Sequence, residues 1–345
     1  MKVGIVGGGL AGTTLALQMV NKGINVVLLD KGINFSSRIA AGMINPLVFR
    51  RMTKSWRLDD FTAYFQTFYK ETEEKTAGSF FHPIPIRRFF SAQQEKDFWI
   101  KRQNQPEFAS YMTPLTDEDE TYFPEANILG SGLVKQSYYV NTNQFLQMTK
   151  EYLSNTIDYR VEAFDFSQYD AEKCIYKAEA FDKMIFCEGL EGKENPHFSY
   201  LPLNQTKGET LTIELKTVPE NESLNRKCFI LPLGNQQFKV GSTYVWNTNT
   251  TDITEEGKQT ILENLSFLTK ETPIIVAQNA GVRPTTMDRR PLMGEHPTLK
   301  NNYIFNGLGT KGYMMAPLLS KEMAEFVIDG TPLDKEVNIE RFKPE

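Results

Sequence analysis

Cysteine and histidine are both scarce, with three of each in 345 residues. Cys174, Cys187 and Cys228 form no C-x-x-C pair, and their odd number fits neither a disulfide framework nor a structural zinc site. His82, His197 and His296 stand far apart along the chain, so no metal cluster is expected. No apolar run approaches the roughly 18 residues that a membrane-spanning helix needs. Positive charge is not in excess either: Lys and Arg total 38 against 43 Asp and Glu, a net charge of −5. That balance is a poor match for non-specific binding to nucleic acid or an anionic membrane, both of which require a basic face. The N-terminus passes from Met1-Lys2 directly into an apolar run, without the segments of a signal peptide, and a cytoplasmic location is the expectation. What is present is ordinary globular material, 40% hydrophobic. At roughly 100–200 residues per domain, the length suggests two domains.

The first thirty residues are the most informative. Val3 to Val6 is a short apolar strand that runs into Gly7-Gly8-Gly9-Leu10-Ala11-Gly12, a G-x-G-x-x-G sequence. A helical pattern follows, with Leu15, Ala16, Met19 and Val20 on one face, and Gly23 stands where a left-handed residue closes it. Ile24 to Leu29 predicts a second buried strand ending at Asp30, about 20 positions beyond the last glycine. Each part has a mechanical reason. Gly7 permits a tight turn, Gly9 lets the backbone approach a pyrophosphate, and Gly12 lets helix and strand pack closely. The helix start offers N–H groups to the phosphates, and Asp30 suits the ribose hydroxyls. Strand, glycines, helix, strand and acid together predict a dinucleotide site, without choosing between FAD and NAD.

Strand and helix alternate at the two ends of the chain, whereas strands with hairpin-like turns dominate the middle. A helix is expected over 141–153 and strands over 158–164 and 183–187. Further strands are expected over 209–215, 229–233 and 238–244. A helix over 255–268 and a strand over 274–278 precede a Gly/Arg/Pro-rich loop, a strand over 303–306 and a last helix from about 316 to 329. The expected fold is α/β: a Rossmann-like nucleotide domain from 1–45, 140–200 and 275–345, with an inserted α+β antiparallel-sheet domain from 46–139 and 201–274. Two charged stretches, Arg50 to Arg57 and Asp117-Glu118-Asp119-Glu120, are expected on solvated faces.

The C-terminal third narrows the class. Ala280-Gly281-Val282-Arg283-Pro284-Thr285-Thr286 leads to Arg290-Pro291-Leu292-Met293-Gly294, then to Asn306-Gly307-Leu308-Gly309-Thr310-Lys311-Gly312-Tyr313. With the N-terminal fingerprint, this closely resembles the D-amino-acid oxidase superfamily, in particular its glycine oxidase and sarcosine oxidase branch. The resemblance spans nearly the whole chain and implies FAD. Ser36-Ser37-Arg38-Ile39-Ala40-Ala41-Gly42-Met43 resembles the family's loop around the FAD pyrophosphate and ribityl chain. Val161 falls at the strand that holds adenine there, and Cys187-Glu188-Gly189 stands at the usual Ala-x-Gly. Lys207-Gly208-Glu209 resembles the Arg-Gly-Gln opening the substrate sheet. The implied cofactor contacts therefore include Gly7, Gly8, Gly9, Leu10, Ala11, Gly12, Asp30 and Lys31 at one end. Arg38, Ala40, Ala41, Gly42, Met43, Val161 and 187–189 continue the set, and Arg283 with 307–313 completes it. No cysteine follows Cys228, and covalent attachment in the family commonly uses a C-terminal cysteine, so non-covalent FAD is expected.

The chemistry implied by the resemblance is hydride transfer from the carbon bearing an amine to flavin N5, followed by imine hydrolysis. The partners are a small amine or amino acid and O2 or another electron acceptor. Arg283 matches the arginine that grips the substrate carboxylate, a task suited to a planar guanidinium fork. The turn Gly307 to Gly312 can direct N–H groups at the N1–C2=O edge of a reduced flavin, with Lys311 as an added charge. Tyr244 and Trp246 are candidates to line the substrate pocket, although core packing explains such a pair equally well. An alternative is similarity to the flavin domain of a tRNA wobble-uridine modifying enzyme, whose chemistry is again C–N oxidation. A non-catalytic flavin-binding protein on the same fold is a third possibility.

Overall fold

The computed structural model describes residues 1–33, 35–123 and 126–342. Its first sheet has six strands in the order Asp158–Arg160, Asn25–Leu29, Lys2–Val6, Lys183–Phe186, Asn302–Asn306 and Leu292–Glu295. The first five run parallel and the last is antiparallel to its neighbour. Because side chains alternate across a strand, Val3, Ile5 and Leu28 pack into one buried cluster, whereas Val6, Val27 and Leu29 enter another. Helices Leu10–Asn21 and Gly312–Asp329 supply Leu15, Met19, Leu319 and Met323 to the first cluster. On the opposite face, a small antiparallel sheet of Tyr169–Asp170, Ile175–Tyr176 and Glu179–Ala180 stacks Tyr176 on Phe164, whose ring meets Phe186 edge-on.

The second sheet has eight strands and draws on the middle of the chain. Its strand Leu203–Glu214 pairs on one side with Gln237–Gly241 and Val245–Trp246, and on the other with the edge strand Ile274–Thr286. Helix Glu255–Leu265 packs Ile261 and Leu265 against Leu211, Ile213, Phe238 and Val240. Helices Leu58–Thr76 and Gln93–Gln103 also come from the middle of the chain, the former packed on Gly312–Asp329.

Several expectations change. The Gly/Arg/Pro-rich segment is no loop up to residue 286, because Ile274–Thr286 is one continuous strand. Pro284 is tolerated because this strand is paired on a single side, so no second neighbour needs its missing N–H. The same strand was expected to begin the nucleotide end of the chain but is hydrogen-bonded into the second sheet. The expected strand over 158–164 is only Asp158–Arg160, and the last helix begins at Gly312, a turn earlier than expected. The acidic run at 117 is solvated only in part: Asp117 and Glu118 are exposed, but the run forms helix Asp117–Thr121, held by a Thr116–Asp119 capping box, and Asp119 is buried in an ion pair with Arg87.

Candidate active site

A cavity of about 1120 Å³ runs between the two sheets. One end is built from the glycine turn. Gly7, Gly9, Leu10 and Ala11 line the cavity, while Gly8 and Gly12 act behind it. The Gly8 N–H donates to Asp30 Oδ1 at 3.1 Å. A Cβ on Gly12 would lie 1.8 Å from the Gly7 carbonyl oxygen, so the helix could not approach the turn with any other residue there. Helix Leu10–Asn21 starts without a capping side chain and with no acid in its first turn. Its orphan N–H groups and dipole therefore favour an anion in the cavity, apart from Leu10 N, which donates to Ser37 Oγ at 3.0 Å.

Asp30 is buried at the tip of its strand and also accepts the Tyr159 hydroxyl at 2.7 Å. Burial and the Asp30 charge push the Tyr159 phenol far above its ordinary range, which keeps it a donor. Tyr159 was not recognised in the sequence, since nothing local marks its ring as facing residue 30. Lys31 lines the cavity and is paired with Glu191. Val161 lies one residue past its strand and is exposed, while Glu162, Ala163 and Phe164 line the cavity beside it.

The segment 36–43 forms the next wall through Ala40, Ala41, Gly42 and Met43. Its carbonyls are turned outward onto protein donors. Ser37 O accepts the Tyr313 hydroxyl at 2.8 Å, Arg38 O accepts Thr142 Oγ1 at 2.7 Å, and Ala40 O accepts Lys239 Nζ at 3.1 Å. Arg38 therefore contributes backbone here and does not line the cavity. Gly42, at φ +70°, would place a Cβ 2.0 Å from the Val140 carbonyl oxygen. Lys239 is a second residue not singled out from the sequence. Burial lowers its ammonium to about 8.

Cys187, Glu188 and Gly189 follow the strand Lys183–Phe186 into the cavity. Glu188 accepts from Asn195 Nδ2 at 2.7 Å, and desolvation raises its carboxyl to about 7 despite Asn195 and nearby Lys31. On the far wall, Leu308 to Tyr313 line the cavity and Gly307 turns the chain at φ +74°. Helix Gly312–Asp329 again starts with no side-chain cap and no acid in its first turn. Lys311 Nζ donates to Asn45 O at 2.7 Å, Leu47 O at 3.4 Å and Ser55 Oγ at 2.5 Å, and burial lowers it to about 8.

Arg283 projects from the strand Ile274–Thr286 over Gly208, where a Cβ would lie 2.1 Å from its Nη2. Nη2 donates to Ser242 Oγ at 2.8 Å and the guanidinium stacks 4.6 Å from the Tyr244 ring centre. Nη1 is buried without a partner. Desolvation lowers the guanidinium from its usual value, and no carboxylate among the described residues pairs with it. Tyr244 thus joins Arg283 in the cavity wall, whereas Trp246 is exposed and is not part of that wall.

A parallel sheet with a glycine-rich phosphate turn, closed by a second sheet across a shared cavity, defines a dinucleotide-dependent oxidoreductase. The chain belongs to the DAO family of FAD-dependent oxidoreductases, whose model matches residues 2–326. It is similar to the glycine oxidase of Bacillus subtilis, 21% identical over 366 residues that cover 97% of this chain and 93% of that protein. It is also 22% identical over 378 residues to the tRNA 5-methylaminomethyl-2-thiouridine biosynthesis bifunctional protein MnmC of Idiomarina loihiensis. That match covers 99% of this chain but 59% of the relative, so the chain spans little more than half of it. Among solved structures, glycine oxidase from Bacillus cereus superposes with a TM-score of 0.82 at 19% identity, covering 96% of each chain. The protein is an enzyme of this family and its cofactor is FAD. The uncapped helix at Gly9 and the glycines that admit no Cβ fit the pyrophosphate of that cofactor.

Proposed function

We propose that this enzyme oxidises the C–N bond of a small amino acid or secondary amine. The observation that carries the proposal is Arg283, a cation in the cavity wall whose partners are a hydroxyl and an aromatic ring and whose Nη1 is left buried and unbonded. Such a group calls for an anion, and a substrate carboxylate would meet its fork and fix the adjacent C–H bond. Bound FAD supplies the hydride acceptor, and water hydrolyses the imine released. Ser242 and Tyr244 hold the guanidinium plane, and Gly208 leaves space beneath it. The uncapped start of Gly312–Asp329, with Lys311 beside it, would stabilise negative charge on the reduced cofactor.

Anaerobic addition of an amine panel tests the reading, since at least one member should bleach the flavin band. Arg283→Ala should raise KM strongly while FAD stays bound, and an unchanged KM rejects the carboxylate clamp. If no amine bleaches the flavin, the amine-oxidation reading is rejected. FAD is proposed to be non-covalent: Cys187 and Cys228 line the cavity, but burial pushes both thiols up, Cys228 to about 12, which suppresses the attacking thiolate. A yellow chromophore that stays with acid-precipitated protein would refute this. The match to MnmC supports a second reading, C–N oxidation on a tRNA. Binding of tRNA that weakens steeply with salt would support it, and absent binding at low salt would reject it.

A further inference from the structure

The charged residues lining the cavity are sorted by sign. Asp30, Glu162, Glu188, Glu191 and Glu194 all come from the nucleotide-sheet end, where Lys31 is already paired with Glu191. Around the second sheet and the flavin-facing turn stand Arg226, Lys227, Arg283 and Lys311. Arg283, Lys227 and Lys311 meet only neutral groups among the described residues, and Arg226 has no carboxylate partner there but feels the like charge of Arg88, itself paired with Glu95. Arg283 bonds Ser242 and stacks on Tyr244, and Lys311 bonds two carbonyls and Ser55. Arg226 donates to Ala126 O and Phe267 O, both at 3.2 Å, and Lys227 lies over the Phe267 ring. The Arg226 Nε is buried without a partner, like the Arg283 Nη1.

In a chain of net charge −5, so many cations without carboxylates at one end of one cavity produce a local positive field that an anionic ligand must answer. The pyrophosphate belongs at the other end, on the glycine turn. Lys311 is committed to the flavin-facing turn, and a single substrate carboxylate answers Arg283. Arg226 and Lys227 are left over. Lys227 is exposed at the rim and can swing to a ligand, while Arg226 is half-buried behind it.

We infer that the substrate is an amine bearing two anionic groups, a carboxylate held by Arg283 and a second anion held at the rim by Lys227 in the field of Arg226. The inference rests on the amine-oxidation reading and names its substrate class. The second anion is a carboxylate or a phosphate-type group, which share the same recognition chemistry.

Non-oxidisable thioethers separate these possibilities on the FAD-loaded enzyme, with binding read from perturbation of the flavin spectrum. The probes are (methylthio)acetate with one charge, thiodiacetate with a second carboxylate, and (phosphonomethylthio)acetate with a phosphonate. One of the two larger anions should bind at least about tenfold more tightly than (methylthio)acetate, with a preference that shrinks as salt rises. Lys227→Met, or Lys227→Gln if the former loses FAD, should draw that ratio toward one. Arg283→Met should weaken all three. Equal affinities in the wild-type enzyme, or a ratio untouched by both Lys227 variants, would overturn the inference. Equal affinities accompanied by tRNA binding that Lys227→Met abolishes would overturn it in favour of RNA phosphates. If (methylthio)acetate leaves the spectrum unchanged and no amine bleaches the flavin, the amine-oxidation reading fails and this inference falls with it.

Discussion

Glu188 sits where a negative charge is unwelcome. It follows the strand Lys183–Phe186, stands beside the Gly7 turn and faces the cavity, with Asn195 as its hydrogen-bond donor. A carboxyl raised to about 7 in the folded protein stabilises that state while it is protonated, and the contribution is lost as pH climbs through about 7. Glu188→Gln is therefore expected to melt higher than wild-type apoprotein at about pH 8, and to lose that advantage on acidification toward the ordinary value of 4.5. Paired thermal scans across that range check the sign. Gly12 gives a sharper prediction. With only 1.8 Å between its would-be Cβ and the Gly7 oxygen, Gly12→Ala should yield protein that cannot be reconstituted with FAD, measured as flavin absorbance after desalting. At this scale the sequence exposed the residues with a fixed spacing, such as Gly7, Gly12 and Asp30. Tyr159, Ser242 and Lys239 lay beyond it, because each acquires its role from a partner 129, 41 or 199 positions away.

Among the elements, helix Gly312–Asp329 shows how a flaw in local propensity is absorbed. Pro317 sits inside it and has no N–H, which orphans the carbonyl of Tyr313 four residues earlier. The hydroxyl of buried Tyr69, from helix Leu58–Thr76, fills the gap at 2.6 Å. Removing that donor should leave a buried acceptor unmet and cost about 1–3 kcal/mol, so Tyr69→Phe is expected to unfold at clearly lower denaturant with an unchanged m-value. Pro317 also explains why a helix start near Ala316 is the natural expectation from sequence, since proline favours first turns. The strand Ile274–Thr286 misled in the same manner. Gly281, Arg283 and Pro284 carry loop chemistry, and only the twelve-pair register against Leu203–Glu214 makes them extended.

On the scale of the molecule, the parallel sheet and its glycine turn were visible because their hydrophobic periods and spacing are local. How the two sheets share the chain was less so, because strand Ile274–Thr286 follows the second sheet before the chain returns to the first at Leu292–Glu295. That crossing, together with the hydrogen bonds from Lys239 and Tyr313 to one short wall, couples the two halves. Heat unfolding is expected as one transition that FAD shifts upward as a whole, with tryptophan fluorescence and circular dichroism coinciding. Separate midpoints would refute the coupling.

The wall at 36–43 has a consequence for how the enzyme is made. Its outward carbonyls are held by Thr142, Lys239 and Tyr313, and Ser36 donates to the carbonyl of Val282. The glycine turn is synthesised long before Tyr313, yet the wall beside it lacks its last tether until residue 313 has followed. Capture of the cofactor thus waits until synthesis has reached Tyr313. Arrested nascent chains of increasing length should quench FAD fluorescence only once Tyr313 has emerged, and quenching by shorter chains would show that the wall sets without it.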